Sequence, residues 1–494
     1  LRIGLIYQTL INKFTQLGFT SPEETAEMLL QSRHSFWYRT LSSSARSRVD
    51  EIMASVFCAL TELNNKDITL SRVLKLFEAI SGRSVYFALM YEHPQVLKQL
   101  IELISASQWI TDTLAQQPIL LDELIDQRTL FDPLDPEALK QDLDSRFQAV
   151  TAQDVEQQIE VLHQFNETHS LRVAATDILG KRPLMKVSDY LTALAEIVLD
   201  KVFRLAWNEL QQRHGRPTLK SGMQNTGFAV IAYGKLGGLE LSYTSDLDLV
   251  FLHAGEEEGM TDGELTIDNH LFYSRLARRM LHFLQIRTLS GVLYEVDLRL
   301  RPQGNSGFLV SSLEAFKLYQ REDAWTWEHQ ALVRARPVVG DPAVCEWFQS
   351  LRAEILCLPR DPAQVATDVV NMRQKMRENL ETHRDWEVKH GVGGLVDIEF
   401  IVQFLVLAHA SDHTELVQFS DNVRILEMAQ RVNLLSAEEA TFLRDTYLLM
   451  RRQLHRSALG VAADASEQKI LQESRSRVEK IWHNLLIFVD STIQ

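Results

Sequence analysis

This chain contains the sequence Phe228-Ala-Val-Ile-Ala-Tyr-Gly-Lys-Leu-Gly-Gly238, followed by Ser245-Asp-Leu-Asp-Leu-Val-Phe-Leu252. The apolar runs in this stretch are short and bounded by Gly or polar residues, a pattern typical of buried strands. Side chains two residues apart on a strand share a face, so Asp246 and Asp248 are predicted to point together. Paired carboxylates repel unless a cation neutralises them, and Mg²⁺ commonly binds such pairs together with substrate phosphates. The stretch therefore predicts a nucleoside triphosphate site.

A third carboxylate occurs in a later segment, Gly291 to Pro302, in which polar and apolar residues alternate. The alternation predicts a strand that ends at Pro302, with its apolar side chains on the core. The polar face would carry Glu295, Asp297, Arg299 and Arg301. Acids and guanidinium groups in one row suit a metal and a polyphosphate. The alternative is a solvated strand whose acids and arginines pair with each other.

These residues resemble a known pattern. A glycine turn, an Asp-x-Asp strand and a third Asp on a later strand are similar to the nucleotidyltransferase fold of the DNA polymerase beta type. More narrowly, Tyr233 to Leu241, Ser245 to Leu249 and Val296 to Pro302 resemble the glutamine synthetase adenylyltransferase family. Its members have two similar halves, one attaching AMP to a tyrosine of glutamine synthetase and the other removing it by phosphorolysis. Two further segments, Met185 to Asp189 and Trp325 to Arg336, resemble the C-terminal, adenylylating half.

The resemblance implies a function and a set of site residues. Asp246, Asp248 and Asp297 would be the catalytic, Mg²⁺-binding carboxylates, with ATP as the substrate that donates AMP. Glutamine synthetase would be the protein substrate, and glutamine and the PII signalling protein would be regulators. Nucleotide-binding positions are expected at Gly234, Lys235, Gly237, Gly238, Ser245, Arg299 and Arg301.

Composition restricts the class of protein. Apolar residues make up 45% of the 494 residues and charged residues 24%, as in ordinary globular proteins. No run reaches the roughly 18 apolar residues of a membrane span, so we expect no membrane association. The net charge of −15 disfavours a nucleic acid polymer as partner. Three cysteines without metal-ligand spacing fit a reducing, cytoplasmic location, and the chain, which starts without Met, is expected to be part of a longer protein.

The predicted fold class is α+β and predominantly helical. We expect a polymerase-beta-like nucleotidyltransferase core with a mixed sheet, flanked by N-terminal helices and a C-terminal helical bundle. The predicted domains are an N-terminal helical region over 1–126, a catalytic domain with leading helices over 127–350, and a helical bundle over 351–494. The first boundary depends on helical periodicity without strand patterns, and the last on Pro359 and Pro362.

Other candidate residues have a structural alternative. Asp397 and Glu399 follow a glycine-rich segment and begin a predicted helix, whose N-terminus stabilises acids in any case. We expect Glu240 to be structural, and Trp325 and Trp327 to pack in the core or at a domain interface. Arg334 and Arg336 could contact nucleotide or protein substrate, but exposed or paired arginines are more common.

Four functions are compatible with the sequence. The first is adenylylation of glutamine synthetase, and the second is its phosphorolytic deadenylylation, which would use nearly the same metal site. The third is uridylylation of PII by an enzyme of the same fold. The fourth is a non-catalytic regulatory module, which is disfavoured because all three predicted acidic ligands are present.

Overall fold

The computed structural model describes residues 2–124, 130, 134–151, 154–220, 225–288, 291–378, 386–461 and 465–487. The chain divides into two compact units. The first unit comprises Leu1–Leu134, Glu167–Pro183 and Ala458–Ala462. The second unit comprises Asp135–Asn166, Leu184–Ser457 and Ala463–Gln494. The three-domain division stays a prediction.

The described residues of the first unit form helices joined by turns, without a strand, as predicted for the N-terminal region. Its core contains edge-to-face aromatic pairs such as Phe77 and Phe87, whose ring centroids are 5.5 Å apart. The helices are Arg2–Gln16, Pro22–His34, Phe36–Thr40, Ser43–Leu60, Lys66–Ile80, Val85–Glu92, Pro94–Ala106, Gln108–Gln116 and the 3-10 helix Pro118–Leu124. Three of them begin at or just before a Pro, which lacks the N–H that a first helical turn leaves unbonded.

Three long helices precede the sheet: Pro136–Phe147, Val155–Ile178 and Leu184–His214. The last of them packs an aromatic face on the sheet, with the Phe203 and Phe228 rings stacked at 5.6 Å. The helical period predicted before the catalytic core is therefore confirmed in the described residues.

The second unit contains a mixed five-stranded sheet. Its strands are β1 (Phe228–Ala232), β2 (Leu247–His253), β3 (Val296–Asp297), β4 (Val310–Ser312) and β5 (Arg336–Gly340). The order is β3-β2-β1-β5, and β4 also pairs with β2. Strand β1 is antiparallel to β2 and β5, whereas β3 and β4 are parallel to β2. This confirms the predicted strands at 228 and 249 and the α+β class.

The predicted strand before Pro302 is much shorter than expected. Only Val296 and Asp297 pair with β2, and a turn follows. The carboxylate of Asp297 accepts the backbone N–H of Arg299 at 2.8 Å, and the N–H of Arg301 bonds to the carbonyl of Leu298 at 3.3 Å. The alternating pattern was misleading here because a side chain–backbone bond of this kind competes with strand pairing.

Further helices surround the sheet and complete the C-terminal part. Those next to the strands are Gly234–Gly237, Asn269–Gln285, the 3-10 helix Gly304–Ser306, Leu313–Glu322, Thr326–Val333 and Pro342–Leu356. The bundle beyond them contains Pro362–Glu378, Trp386–Lys389, Leu395–His409, the 3-10 helix Thr414–Val417, Asn422–Arg431, Ala437–Ala458, Ala465–Trp482 and the π-helix His483–Ile487. In the described part of the chain, no helix is both long enough and apolar enough to cross a membrane.

Candidate functional site

The connection from β1 to β2 places the glycine turn against the predicted acidic pair. Tyr233 donates its backbone N–H to the carbonyl of Asp248 at 2.9 Å, so the turn leaves β1 directly beside β2. The short helix Gly234–Gly237 follows and closes with a bond from the N–H of Gly238 to the carbonyl of Gly234 at 3.0 Å. The backbone of the turn is thereby fixed relative to the carboxylate of Asp248.

Glycine is required at two positions of this turn. Gly234 has φ +55°, and a Cβ there would lie 2.2 Å from Oδ2 of Asp248. A Cβ on Gly237 would lie 2.0 Å from the carbonyl oxygen of Arg334. The first glycine therefore keeps open the space next to the carboxylate, and the second allows two backbone segments to touch.

The three predicted carboxylates come from two adjacent parallel strands. Asp248 on β2 is the register partner of Asp297 on β3, and the exposed Asp246 immediately precedes β2. Burial first, and then the negative charges of Asp297 and Asp246, raise the pKa of Asp248 to about 6. The geometry thus supports the sequence prediction that these acids share one region.

The carboxylate of Asp297 is engaged by Arg299. The Arg299 Nε lies 2.8 Å from Oδ2 of Asp297, and this hydrogen bond is the main reason why the pKa of Asp297 lies below its usual value. Among the residues that the structure describes, no three acidic, His or Cys side chains are grouped so as to hold a metal ion. The Arg299 side chain is 75% exposed, so the pair is a surface ion pair worth about 0–1 kcal/mol and can be exchanged readily.

The donor chemistry of these acids nevertheless fits Mg²⁺. Carboxylate oxygens are the ligands that this ion prefers, and the missing Cβ of Gly234 leaves room beside Asp248. The alternative considered from the sequence, in which acids and arginines of this segment pair with each other, is also realised in part. Asp297 pairs with Arg299.

Arg301 binds backbone carbonyls in the structure. Its guanidinium donates to the carbonyl oxygens of Leu298 at 2.8 Å and Asn305 at 3.2 Å. These bonds hold the turn that follows β3. A contact with phosphate stays a prediction for this residue.

Lys235, a residue of the glycine turn, lies next to Ser245. The Lys235 Nζ is 3.2 Å from the hydroxyl of Ser245 and 3.4 Å from that of Ser242. Burial first, and then the positive charge of Lys389, lower the pKa of Lys235 to about 8. Glu399 opposes this shift, whereas Arg334 and Arg451 add to it. Two hydroxyls and an ammonium group are suitable donors for phosphate oxygens.

A buried network ties the glycine turn to the C-terminal helices. Arg334 pairs with Glu240 just beyond the turn, and with Glu399 on Leu395–His409 at 2.6 Å. The phenol of Tyr447 donates to Glu240 at 2.5 Å or to Glu399 at 3.1 Å. Burial, the largest single influence, would raise the pKa of Glu240, but the charges of Arg334 and Arg451 and the hydrogen bonds from Tyr447 and Asn422 together outweigh it, so the pKa is lowered. Glu240 is structural, as expected, and Arg334 is one of the paired arginines.

Asp397 forms a second buried cluster. Its carboxylate accepts the backbone N–H of Gly393 at 2.7 Å and pairs with Arg373 at 2.6 Å and Arg377 at 2.7 Å. These contacts fix the glycine-rich segment that precedes the helix. They favour the structural interpretation of Asp397 over a role in the site.

The expectation that the tryptophans pack in the core was wrong, whereas packing at a domain interface stays a prediction. Trp325 is 69% exposed and Trp327 is 36% exposed, so neither lies in the core. Trp325 lies at the N-terminus of Thr326–Val333, where its backbone N–H bonds to the Glu328 carboxylate at 3.0 Å. Arg336, by contrast, is the first residue of β5 and pairs with Glu196.

Comparison with known proteins identifies the family of this chain. A model of the family described as glutamate-ammonia ligase adenylyltransferase matches residues 97–350, which include the glycine turn and all three carboxylates. The chain belongs to this family. A second family model, GlnD PII-uridylyltransferase, matches residues 370–484.

Curated relatives are similar over almost the whole chain. A bifunctional glutamine synthetase adenylyltransferase/adenylyl-removing enzyme from Pseudomonas putida is 44% identical over 95% of this chain and 50% of its own length. Proteins of the same name from Pseudomonas aeruginosa and Thioalkalivibrio sulfidiphilus are 43% and 44% identical, each over 95% of this chain. The chain spans about half the length of these glutamate-ammonia ligase adenylyltransferase relatives.

Proposed function

We propose that this chain is the C-terminal, adenylylating half of such an enzyme and transfers AMP from ATP to a tyrosine hydroxyl of glutamine synthetase, releasing pyrophosphate. The observation that carries the proposal is the contact of the glycine turn with the acidic strand. A Cβ on Gly234 would fall 2.2 Å from the Asp248 carboxylate, and Asp248 is in register with Asp297. A turn that brings backbone this close to paired acids is suited to a phosphate bound next to a divalent cation.

Asp246, Asp248 and Asp297 are the residues that would hold Mg²⁺. When bound, the ion would neutralise phosphate charge and favour attack on the α-phosphorus. Arg299 would have to leave Asp297 for that carboxylate to become a ligand. Its guanidinium, already exposed, would then be free to bind a phosphate oxygen near the same acids.

The remaining predicted residues would bind the nucleotide through positive charge and hydrogen bonds. Lys235 and Ser245 already lie 3.2 Å apart and would donate to phosphate oxygens together. Gly237 and Gly238 would let the backbone of the turn approach the phosphates. Arg301 holds the turn after β3 by donating to backbone carbonyls. It would bind a phosphate only by giving up these hydrogen bonds.

The acceptor would be a tyrosine of the partner protein. A phenol has an unperturbed pKa of about 10, so it is a weak nucleophile at neutral pH and needs help in losing its proton. We propose the cytoplasm as the location and glutamine and PII as regulators. These two proposals depend on the family resemblance, because no described residue identifies a regulator site.

The removing reaction is the second candidate, because the names of the relatives include an adenylyl-removing activity. Residues 370–484 match a PII-uridylyltransferase family model. Uridylyl transfer is therefore a further candidate reaction to be tested. Reaction direction and base preference are properties that the acids alone do not determine.

The test is the intact mass of unmodified glutamine synthetase after incubation with this chain, Mg²⁺, ATP and glutamine. A gain of one AMP per subunit would support adenylylation. Loss of AMP from modified substrate on addition of phosphate, without any gain in the first assay, would replace the proposal by the removing reaction. A gain on PII with UTP, but none on glutamine synthetase, would replace it by uridylyl transfer.

A further inference from the structure

The carbonyl groups of the glycine turn accept hydrogen bonds from outside the turn as well as from within it. Those of Tyr233 and Gly234 accept the N–H groups of Gly237 and Gly238, at 2.9 and 3.0 Å. The next three carbonyls have donors from beyond the short helix: Glu240 N–H to Lys235 at 2.8 Å, the Arg336 guanidinium to Leu236 at 3.0 Å, and the Ser420 hydroxyl to Gly237 at 2.7 Å. The turn that faces Asp248 is therefore held in part by side chains 100 and 183 positions further along the chain.

The bond from Ser420 acts on the peptide group that closes the turn. A peptide group is planar and trans, so fixing the carbonyl of Gly237 also fixes the N–H of Gly238, which points the opposite way. That N–H bonds to the carbonyl of Gly234 at 3.0 Å, and Gly234 is the residue whose missing Cβ leaves room beside the Asp248 carboxylate. A single peptide group thus connects the Ser420 hydroxyl to the residue that borders the acidic strand.

Ser420 itself lies in a well-anchored segment of the C-terminal bundle. The residue is 8% exposed. On one side of it, the buried guanidinium of Arg352 donates to the carbonyl of Val417 at 2.7 Å and to that of Phe419 at 3.1 Å. On the other side, the N–H of Asn422 bonds at 3.3 Å to the buried carboxylate that follows the glycine turn. The backbone on both sides of Ser420 therefore keeps its hydroxyl directed at the turn.

We infer that Ser420 is a positioning residue for nucleotidyl transfer: through the Gly237 carbonyl it holds the glycine turn in the place beside Asp248 that a bound phosphate requires. This inference rests on the proposed function and deepens it, because it assigns part of the site's geometry to the C-terminal bundle. Ser420 acts through the backbone of the turn and not by contact with the nucleotide. If the hydroxyl only satisfied a buried carbonyl, its removal would lower stability without changing the turn or the rate.

The test combines steady-state kinetics with amide hydrogen exchange. We would measure kcat and the KM values for ATP and glutamine synthetase for the wild type, Ser420→Ala and Ser420→Thr, which keeps the hydroxyl. Exchange is followed by mass spectrometry in the peptide that covers the turn, Tyr233 to Leu241, without substrates. The denaturant midpoint reports whether each variant folds.

Ser107→Ala is the matched control in the first unit. Ser107 is fully buried, and its hydroxyl also donates to the backbone carbonyl of a residue distant in sequence, that of Leu459, at 2.6 Å. The two substitutions therefore remove the same kind of hydrogen bond, and only one of these bonds reaches the glycine turn.

We expect Ser420→Ala to lower kcat about tenfold at saturating ATP, because a misplaced turn slows the reaction even when the nucleotide is bound. The KM for glutamine synthetase should change less than about twofold, since only the step after binding is affected. Exchange of the turn peptide should become about three to ten times faster, as for the loss of one buried hydrogen bond. Ser420→Thr should restore both quantities, and Ser107→Ala should lose stability while both stay at wild-type values.

Unchanged kcat in a folded Ser420→Ala protein would overturn the inference. A fall in kcat without faster exchange of the turn, or one that a folded Ser420→Thr protein does not restore, would overturn it as well. If the wild type transfers no AMP to glutamine synthetase, yet the turn loosens in Ser420→Ala and not in Ser420→Thr or Ser107→Ala, Ser420 still positions the turn and the proposed function fails.

Discussion

Replacing Gly234 by Ala should separate the stability of the fold from the activity of the site. The added Cβ would lie 2.2 Å from Oδ2 of Asp248, which is the movable end of that side chain. The carboxylate would therefore rotate away while the backbone of the turn survives. The φ of +55° adds a backbone cost of about 1–2 kcal/mol for any residue with a Cβ.

Activity should fall much more than stability. Displacing a catalytic group by about 1 Å can reduce a rate about 100-fold, so we expect at least that loss of AMP transfer to glutamine synthetase. The assay is the initial rate of AMP incorporation at saturating Mg²⁺ and ATP, measured beside the denaturant midpoint of the same preparation.

Gly180→Ala provides the matched control for the backbone. Gly180 has a similar φ of +64°, but a Cβ there would meet nothing within 4 Å. Its variant should lose a comparable amount of stability and keep the wild-type transfer rate. If Gly234→Ala transferred AMP as fast as Gly180→Ala, the contact between the turn and Asp248 would not matter for function, and the reasoning would be refuted.

Three further perturbations test the rest of the site. Arg334→Met should destabilise the second unit by about 3–5 kcal/mol, because it leaves the buried carboxylates of Glu240 and Glu399 without the charge of Arg334. The free energy of unfolding is measured in denaturant, and a loss below about 1 kcal/mol would contradict this expectation. Tyr447→Phe should cost about 1.5–3 kcal/mol in the same measurement, since its hydroxyl bonds to charged acceptors, and an unchanged midpoint would argue against that network. The pKa of Lys235 is lowered to about 8, so its ammonium form, which phosphate prefers, is lost as pH rises above 8. ATP affinity of the wild type should therefore decline between pH 8 and 9.5, and Lys235→Met should abolish this decline; a pH-independent wild type would refute the phosphate role.

Much of the fold follows from local patterns in the sequence. The strands at 228 and 249 were predictable because short apolar runs bounded by glycine or polar residues are typical of buried strands. The pairing of Asp248 with Asp297 could be anticipated only in part. The pattern indicated two acidic strands, but the parallel register that makes these residues partners is a tertiary property.

The sequence could not predict the parts of the site that depend on distant residues. Arg334 and Glu240 are 94 positions apart, and Tyr447 and Glu240 are 207 apart, so no periodicity links them. The turn after Asp297 was missed for a local reason, since the carboxylate bond to the N–H of Arg299 leaves the alternating pattern intact.

The rate of AMP transfer by Asp248→Asn tests the central claim most directly. The substitution removes one charge from the carboxylate pair and changes the side-chain volume little, and Asp323→Asn makes the same change at an exposed position of the same unit. We predict that Asp248→Asn lowers the initial rate about 100-fold or more while its denaturant midpoint stays close to that of the wild type, and that Asp323→Asn behaves as the wild type. A folded Asp248→Asn protein with full transfer activity would contradict the assignment of these acids to metal-dependent nucleotidyl transfer.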